Sequence, residues 1–229
     1  VDLATFLNNM GAQIRGVGTD VIRITGVNSL QSMNTHTIIA DRIESGTYLS
    51  LAAAMGDGVM INNVIPEHLE AYTSKLIEMG VDLKIDSDKI YVPKVEHLTA
   101  VHVKTMPYPG FATDLQQPLT PLMAKAAGVS TVVDTIYPKR VKHIPELQKM
   151  GMKIAADDGK ITIEHTDHFN GADVEAGEIR AGASLVITGL MADGQTVIHK
   201  ADNILRGYDR IVWKLNRLNA NVRIEDDEQ

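Results

Sequence analysis

The sequence predicts an α/β protein that is built from repeated units of helices and strands. One observation is a motif that recurs four times at nearly even spacing, and another is a family of Ala- and Leu-rich helices between its copies. In addition, glycines followed by β-branched segments separate the expected helices from the expected strands. With 229 residues, of which 44% are hydrophobic, the chain can form one large domain or two small ones with a full core.

The recurring motif predicts the ends of amphipathic helices. Its copies read LNNMGAQI, LIEMGVDL, LQKMGMKI and LNRLNANV, and they begin 69, 71 and 68 residues apart, at Leu7, Leu76, Leu147 and Leu215. Apolar residues lie at helical spacing around each copy. Each copy also has a residue that accepts the left-handed conformation of a helix end, namely Gly11, Gly80, Gly151 and Asn219. We therefore expect a helix before each of these residues and strands after them, such as residues 21–24 and 160–163.

A second family of helices is expected between these copies. Its members are residues 47–55, 115–127 and 183–191, and each is followed by a glycine, at position 58, 128 or 194, and then by a β-branched strand. When the three glycines are aligned, Glu44, Asp114 and Arg180 share one position, 14 residues before the glycine. Three different charges near three helix starts indicate either a non-symmetric ligand on a nearly symmetric scaffold or three unrelated surface charges.

The stretch of residues 105–140 contains the best candidates for a site. Pro107, Pro109 and Gly110 predict a rigid, exposed turn. Thr113 and Asp114 follow at the expected start of a helix, where both residue types are good N-caps. Backbone N–H groups and the helix dipole stabilise a carboxylate at such a position. Asp114 is therefore either a structural cap or a charged group that faces a ligand.

Composition excludes several classes of function. The chain has no Cys, which excludes disulfide scaffolds and thiolate metal sites and fits a reducing compartment. Its net charge of −7 argues against nonspecific nucleic-acid binding. Its apolar runs are all shorter than a membrane span, and its amino terminus does not have the pattern of a signal peptide. We therefore expect a cytoplasmic protein that contacts neither nucleic acid nor membrane.

Four segments carry a resemblance to a known family. PYPGFATDLQQ, DTIYPKRVKHIPELQKMG, EIRAGASLVITGL and RGYDRIVWKLNRLNANV, in this order, resemble the carboxyl-terminal half of the UDP-N-acetylglucosamine 1-carboxyvinyltransferase family. The resemblance implies the inside-out α/β barrel of the enolpyruvyl transferases, built from repeated βαβαββ units. It also implies that residues 40–229 form a transferase domain of three repeats and that residues 1–39 are the trailing piece of the amino-terminal domain.

The resemblance also implies an activity and the residues that carry it. The family transfers the enolpyruvyl group of phosphoenolpyruvate to the 3-hydroxyl of UDP-N-acetylglucosamine, the first committed step of peptidoglycan synthesis, without a cofactor. Asp114 matches the aspartate that binds the sugar hydroxyl and takes its proton. Ile136 matches a contact to the nucleotide sugar, and Arg140 and Arg206 match cleft arginines, with Arg206 on the phosphoenolpyruvate side. Arg180 matches the arginine of an Asp-Leu-Arg motif, although this chain has Glu178 at the acidic position.

The resemblance covers only part of a family member. The family's catalytic loop, with its reactive cysteine, and its Lys-Asn pair are expected upstream of Val1. This chain is therefore expected to supply about half of the site and to be inactive alone, with the missing amino-terminal half as its partner.

Other interpretations of the sequence stay open. A fragment of the related 3-phosphoshikimate 1-carboxyvinyltransferase would share the fold and phosphoenolpyruvate, and a noncatalytic ligand-binding half-protein would not need the missing loop. A zinc site is a weaker alternative, because His143, His165 and His168 are too few ligands and are expected to be solvated. The acidic residues 225–229 are expected to fray.

Overall fold

The computed structural model of the chain describes residues 1–32 and 35–225, so most of the expected frayed tail lies outside the described residues. Helices alternate with short strands along the chain. The helices are α1 (Asp2–Asn9), α2 (Arg42–Met55), α3 (Glu70–Glu78), α4 (Thr113–Lys125), α5 (His143–Lys149), α6 (Ile179–Met191), α7 (Asp202–Leu205) and α8 (Ile211–Arg217), and a 3₁₀ turn, Pro66–Leu69, precedes α3.

The strands of the described residues form four small sheets. They are β1 (Gln13–Arg15), β2 (Arg23–Thr25), β3 (Val59–Asn62), β4 (Lys84–Ile85), β5 (Lys89–Val92), β6 (His102–Lys104), β7 (Val129–Val133), β8 (Ile154–Asp157), β9 (Lys160–Glu164), β10 (Asp173–Glu175) and β11 (Val197–His199). The sheet orders are β1-β2, β3-β5-β4, β6-β7-β9-β8 and β10-β11. The pairs β6 with β7 and β10 with β11 are parallel, and the other pairs are antiparallel.

Three helices form the centre of the molecule. α4 packs against both α2 and α6, and α2 also contacts α6. Most residues of each of these helices are buried, as expected for helices that other elements surround. The strands lie outside them, and β7 and β9 each alternate between buried and more exposed residues along the strand. Helices inside and strands outside confirm the predicted inside-out α/β arrangement.

The repeat predicted from the sequence is most complete in the middle of the chain. The order β6, α4, β7, α5, β8, β9 is one βαβαββ unit, in which α4 connects two parallel strands. In the described residues, the repeat that contains α2 has no strand directly before this helix, and the repeat that contains α6 has no strand after α8. The repeat is therefore present three times, but only its middle copy has every element.

All four copies of the recurring motif end a helix in the same way. Gly11, Gly80, Gly151 and Asn219 have φ values of 98°, 99°, 86° and 64°. In each copy, the N–H of the next residue donates to the carbonyl of the leucine that begins the motif, as in Ala12 to Leu7 and Ala220 to Leu215. This 6→1 bond is the mark of a Schellman helix end. The predicted helix ends are confirmed.

The amino-terminal segment does not contribute to the core. Of the residues described between 1 and 39, none is buried, and α1 packs on β1, which pairs with β2. The strand expected at residues 21–24 lies slightly later, at Arg23–Thr25, where it forms this exposed hairpin. The division of the chain at residue 39 stays a prediction.

The predicted starts of the central helices lie too far along the chain. α2, α4 and α6 begin at Arg42, Thr113 and Ile179, not at the expected positions 47, 115 and 183. The prediction that Thr113 and Asp114 cap α4 is also wrong. Ala112, which has no side-chain oxygen, takes the N-cap position, and the side chains of Thr113 and Asp114 bond to other segments. Contacts between distant segments decide the conformation of these first turns.

The prediction that the histidines are solvated is wrong for His143. Its side chain is fully buried at the start of α5, where its Nδ1 lies 3.1 Å from the amide nitrogen of Gln117. Burial, together with the nearby charge of Arg140, lowers the pKa of His143 from 6.5 to about 4. His165, by contrast, is well exposed and pairs with Asp167 at 3.0 Å.

The contact between α2 and α4 depends on the absence of a side chain at Gly46. A Cβ atom on Gly46 would lie 2.5 Å from Cδ2 of the buried Leu115. We therefore expect Gly46→Val to lower the free energy of unfolding by about 1–3 kcal/mol, because overpacking forces the two helices apart. Urea denaturation measures this change. Gly26→Ala is the control, because a Cβ there meets no described atom within 4 Å. Equal midpoints for the two variants would show that the close approach is not needed.

The buried His143 generates a second prediction. Between about pH 6.5 and 4 the unfolded chain binds a proton at His143 that the folded chain does not, so the free energy of unfolding falls as the pH falls. Between pH 7 and pH 5, this single group should lower the free energy of unfolding by about 2 kcal/mol. Urea denaturation of the wild type and of His143→Gln at both pH values isolates the effect. Equal losses of stability in the two proteins would mean that His143 is not buried in its neutral form.

Candidate functional site

Three of the sequence-predicted site residues form one ion-pair cluster at the starts of α4 and α6. The carboxylate of Asp114 accepts a hydrogen bond from Nη1 of Arg140 at 2.6 Å and faces Nε of Arg180 at 3.4 Å. The side chains of Arg140 and Arg180 are 17% and 14% exposed, and that of Asp114 is 36% exposed. The carboxylate is thus held between two mostly buried guanidinium groups, with part of its surface accessible.

The electrostatics of Arg140 fit this arrangement. Burial alone would lower the pKa of its guanidinium, but the hydrogen bond and charge of Asp114, with smaller contributions from Glu178 and Asp134, raise the pKa above its usual value. Arg140 also faces the carboxylate of Glu178, with 3.5 Å between Nε and Oε1. One guanidinium therefore connects two carboxylates from different helices.

Asp134 organises the turn that carries Ile136 and Arg140. It directly follows β7 and is buried, and its carboxylate accepts hydrogen bonds from the hydroxyls of Thr105 and Thr113, both at 2.6 Å. The backbone N–H groups of Ile136 and Tyr137 donate to the same carboxylate at 3.0 and 2.9 Å. Burial would raise the pKa of Asp134, but these four hydrogen bonds outweigh it and lower the pKa.

The cluster also reaches the start of α2. The guanidinium of Arg180 lies over the ring of Tyr208, 5.4 Å from its centroid, and the Tyr208 hydroxyl is 3.0 Å from the hydroxyl of Thr47 on α2. Glu44, at the position equivalent to Asp114 and Arg180, instead pairs with Lys214 at 2.6 Å. Two of the three equivalent charges, Asp114 and Arg180, therefore bind each other, whereas Glu44 has a separate partner.

A pocket of about 500 Å³ lies next to the cluster. Ile136, Tyr137, Arg140 and Glu178 are among its lining residues. Lys139 and Lys142 add two positive charges. Cationic side chains around a partly apolar pocket suit an anionic ligand with an apolar or planar portion.

Arg206 is the one sequence-predicted site residue that belongs neither to this cluster nor to the lining of the pocket. It follows α7 and is exposed, and none of the described residues forms a hydrogen bond or an ion pair with its guanidinium. It lies two positions before Tyr208, which contacts Arg180. Arg206 is thus near the cluster along the chain, with its guanidinium available to a ligand.

Sequence reasoning missed two residues that shape the site. Asp134 was inside the candidate stretch but had no assigned role, although an Asp after a strand and before a turn is the pattern of an Asx turn. Gln117 was also missed. Its side chain is fully buried and donates to Glu178 at 2.8 Å. A Gln within an apolar helix carries no local pattern, so only the fold could identify it.

The arrangement has a limited chemical repertoire. A partly accessible carboxylate next to a pocket can accept a hydrogen bond and a proton from a ligand hydroxyl. A guanidinium group can donate two parallel hydrogen bonds to two oxygens of one phosphate or carboxylate. Among residues 1–32 and 35–225, no group of three or more His, Asp or Glu side chains is placed to hold a metal ion. Within the same residues, no helix is both long enough and apolar enough to cross a membrane.

Comparison with curated proteins gives relatives that match the whole of this chain. UDP-N-acetylglucosamine 1-carboxyvinyltransferase 2 of Lactiplantibacillus plantarum is 62% identical over 229 residues, which cover 100% of this chain and 54% of the relative. The protein of the same name from Lactococcus lactis is 53% identical over 227 residues, which cover 99% of this chain and 54% of the relative. The chain therefore spans about half the length of the curated relatives it matches.

Comparison with solved structures supports the same fold. The enolpyruvyl transferase NikO from Streptomyces tendae aligns with a TM-score of 0.88 and 27% identity, over 97% of this chain and 53% of that one. EPSP synthase from Acinetobacter baumannii aligns with a TM-score of 0.73 and 21% identity, over 97% of this chain and 55% of that one, which shows the fold alone.

The family model for EPSP synthase (3-phosphoshikimate 1-carboxyvinyltransferase) matches residues 1–227, nearly the entire chain. The inner helices, the outer strands and the structural neighbours all agree with this match. The chain therefore belongs to the EPSP synthase family of enolpyruvyl transferases.

Proposed function

We propose that this chain supplies one wall of the active site of a UDP-N-acetylglucosamine 1-carboxyvinyltransferase. The reaction would transfer the enolpyruvyl group of phosphoenolpyruvate to the sugar 3-hydroxyl and would serve peptidoglycan synthesis. The observation that carries the proposal is the Asp114 carboxylate between Arg140 and Arg180, beside a cationic pocket, in a chain 62% identical to a protein of that name. Residues 40–229 would form one domain, and residues 1–39 would belong to the other.

Asp114 would act as the base in this reaction. A carboxylate has two oxygens with about four acceptor positions. Oδ1 accepts the short bond from Arg140, whereas the long contact to Arg180 is the only one that the described part of the chain gives Oδ2, so Oδ2 has capacity for a hydroxyl. As the sugar oxygen forms its bond to C2 of phosphoenolpyruvate, the hydroxyl proton would move to Asp114. Over the whole reaction the bond from C2 to the phosphate oxygen would break, phosphate would leave with one proton, and the C2–C3 double bond would be kept.

The other predicted site residues would bind the two substrates. Ile136 and Arg140 line the pocket and would contact the nucleotide sugar. Arg180 would hold Asp114 in place while its own charge faces the ligand. The exposed Arg206 would bind an anionic group of phosphoenolpyruvate, because a guanidinium matches carboxylate and phosphate oxygens. The opposite wall would come from the part of the enzyme that this chain does not include.

The test joins this chain to the part of the Lactiplantibacillus plantarum relative that the chain does not cover. The chimera should release phosphate from phosphoenolpyruvate only when UDP-N-acetylglucosamine is present. Release with shikimate 3-phosphate instead would assign the shikimate enzyme. A folded chimera that binds UDP-N-acetylglucosamine without any turnover would support the noncatalytic alternative.

The role of Asp114 generates a prediction for the same chimera. Asp114→Asn keeps the shape and one acceptor but cannot take a proton at neutral pH, so kcat should fall by roughly 10² to 10⁴. Steady-state phosphate release measures it. Glu44→Gln is the matched control, because it removes the equivalent charge of another repeat, where Glu44 pairs with Lys214. Near wild-type turnover of Asp114→Asn would rule out the base.

A further inference from the structure

We infer that Gln117 is a positioning residue of the proposed site. Its buried side-chain amide, oriented by His143, holds the Glu178 carboxylate beside Arg140 at the edge of the pocket. The contacts concern this chain alone, whereas their effect on turnover rests on the proposed function. Gln117 is not among the residues that line the pocket, so it would act through Glu178 and Arg140 and not on the substrate itself.

The side-chain amide nitrogen of Gln117 contacts two acceptors. Its Nε2 donates to Oε1 of Glu178 at 2.8 Å and lies 3.1 Å from Nδ1 of His143. An amide nitrogen has two N–H groups, so each can have one acceptor. The opposite orientation would place the amide oxygen against a carboxylate, which is repulsive. The geometry therefore requires that Gln117 donate to both neighbours.

His143 completes the orientation of this amide. Because Gln117 donates from Nε2, Nδ1 of His143 accepts and the ring proton lies on Nε2 of His143, a buried atom with no hydrogen-bond partner among the described residues. A protonated ring could not accept this bond, and burial with the charge of Arg140 lowers the pKa of His143 to about 4. His143 is fully buried and cannot turn toward solvent. A neutral, immobile acceptor thus leaves the second N–H of Gln117 directed at Glu178.

Glu178 transmits this orientation to the site. It takes the N-cap position of α6, and its side chain is 33% exposed, so without a donor it could turn into solvent. Held by Gln117, its carboxylate stays 3.5 Å from Nε of Arg140, while Nη1 of Arg140 binds Asp114. Gln117 therefore determines how Arg140 interacts with two carboxylates. One is Glu178, which lines the pocket, and the other is Asp114, the proposed base.

The first test uses the ¹⁵N-labelled chain itself and NMR of its imidazole and arginine side chains. The wild type should show His143 neutral, with its proton on Nε2, at pH 6 to 8. Gln117→Leu, which has similar volume, should change the His143 tautomer and shift the Nε–H signal of Arg140. The control is Thr120→Val, one turn further along α4, whose buried hydroxyl donates to the carbonyl of Gln116. It should leave both signals unchanged.

Two results would overturn the inference. One is a wild-type His143 with its proton on Nδ1, which needs no variant and therefore does not depend on how well Gln117→Leu folds. The other is a folded Gln117→Leu protein whose His143 and Arg140 signals match those of the wild type.

The second test uses the chimera described above. It distinguishes a positioning role of Gln117 from a general loss of activity. Gln117→Leu should lower kcat/KM for UDP-N-acetylglucosamine about 10-fold, the order expected when one hydrogen bond to a charged group is lost. KM for phosphoenolpyruvate should not change. A loss of kcat alone, with both KM values unchanged, would contradict a positioning role at the pocket. An inactive wild-type chimera would count against the proposed function, while the NMR result would still decide the role of Gln117.

Discussion

The carboxylate of Asp114, shared by two guanidinium groups, is the interaction on which the candidate site depends. Arg140 reaches it from the turn after β7, and Arg180 reaches it from the start of α6. Two cations that are mostly buried need a partner, because an unpaired charge in such a place is costly. Asp114 therefore stabilises the approach of two repeats and, at the same time, holds Arg140, which lines the pocket.

A nearly symmetric scaffold produces a non-symmetric site because one position carries three different side chains. The inner helices α4 and α6 pack against each other, and Asp114 in the first turn of one contacts Arg180 in the first turn of the other. Glu44 at the same position pairs with Lys214 and stays outside the cluster. Buried polar contacts, such as those of Asp134, Gln117 and His143, then fix the turns and side chains around the pair. The repeats give the architecture, and the departures from repetition give the chemistry.

The parts of the structure that the sequence predicted are those that local chemistry controls. Gly151 and Asn219 end helices because a left-handed residue is needed there, and this requirement can be read from a few neighbouring residues. The start of α4 could not be predicted, since Thr113 bonds to Asp134 and Asp114 bonds to Arg140, both distant in sequence. The burial of His143 follows from the packing of α5 and the fold around it and has no local signal. Of the site residues that the resemblance predicts, Asp114, Arg140 and Arg180 contact each other in the fold. Arg206 does not contact them.

A double-mutant cycle between Asp114 and Arg140 measures how strongly this ion pair joins the two segments. The free energies of unfolding of the wild type, Asp114→Asn, Arg140→Gln and the double variant, measured in urea at low salt, give the coupling between the two side chains. We expect a favourable coupling of about 1 kcal/mol that decreases as salt is added, because the carboxylate is partly exposed. A coupling of zero at low salt would contradict the claim that this ion pair joins the two segments.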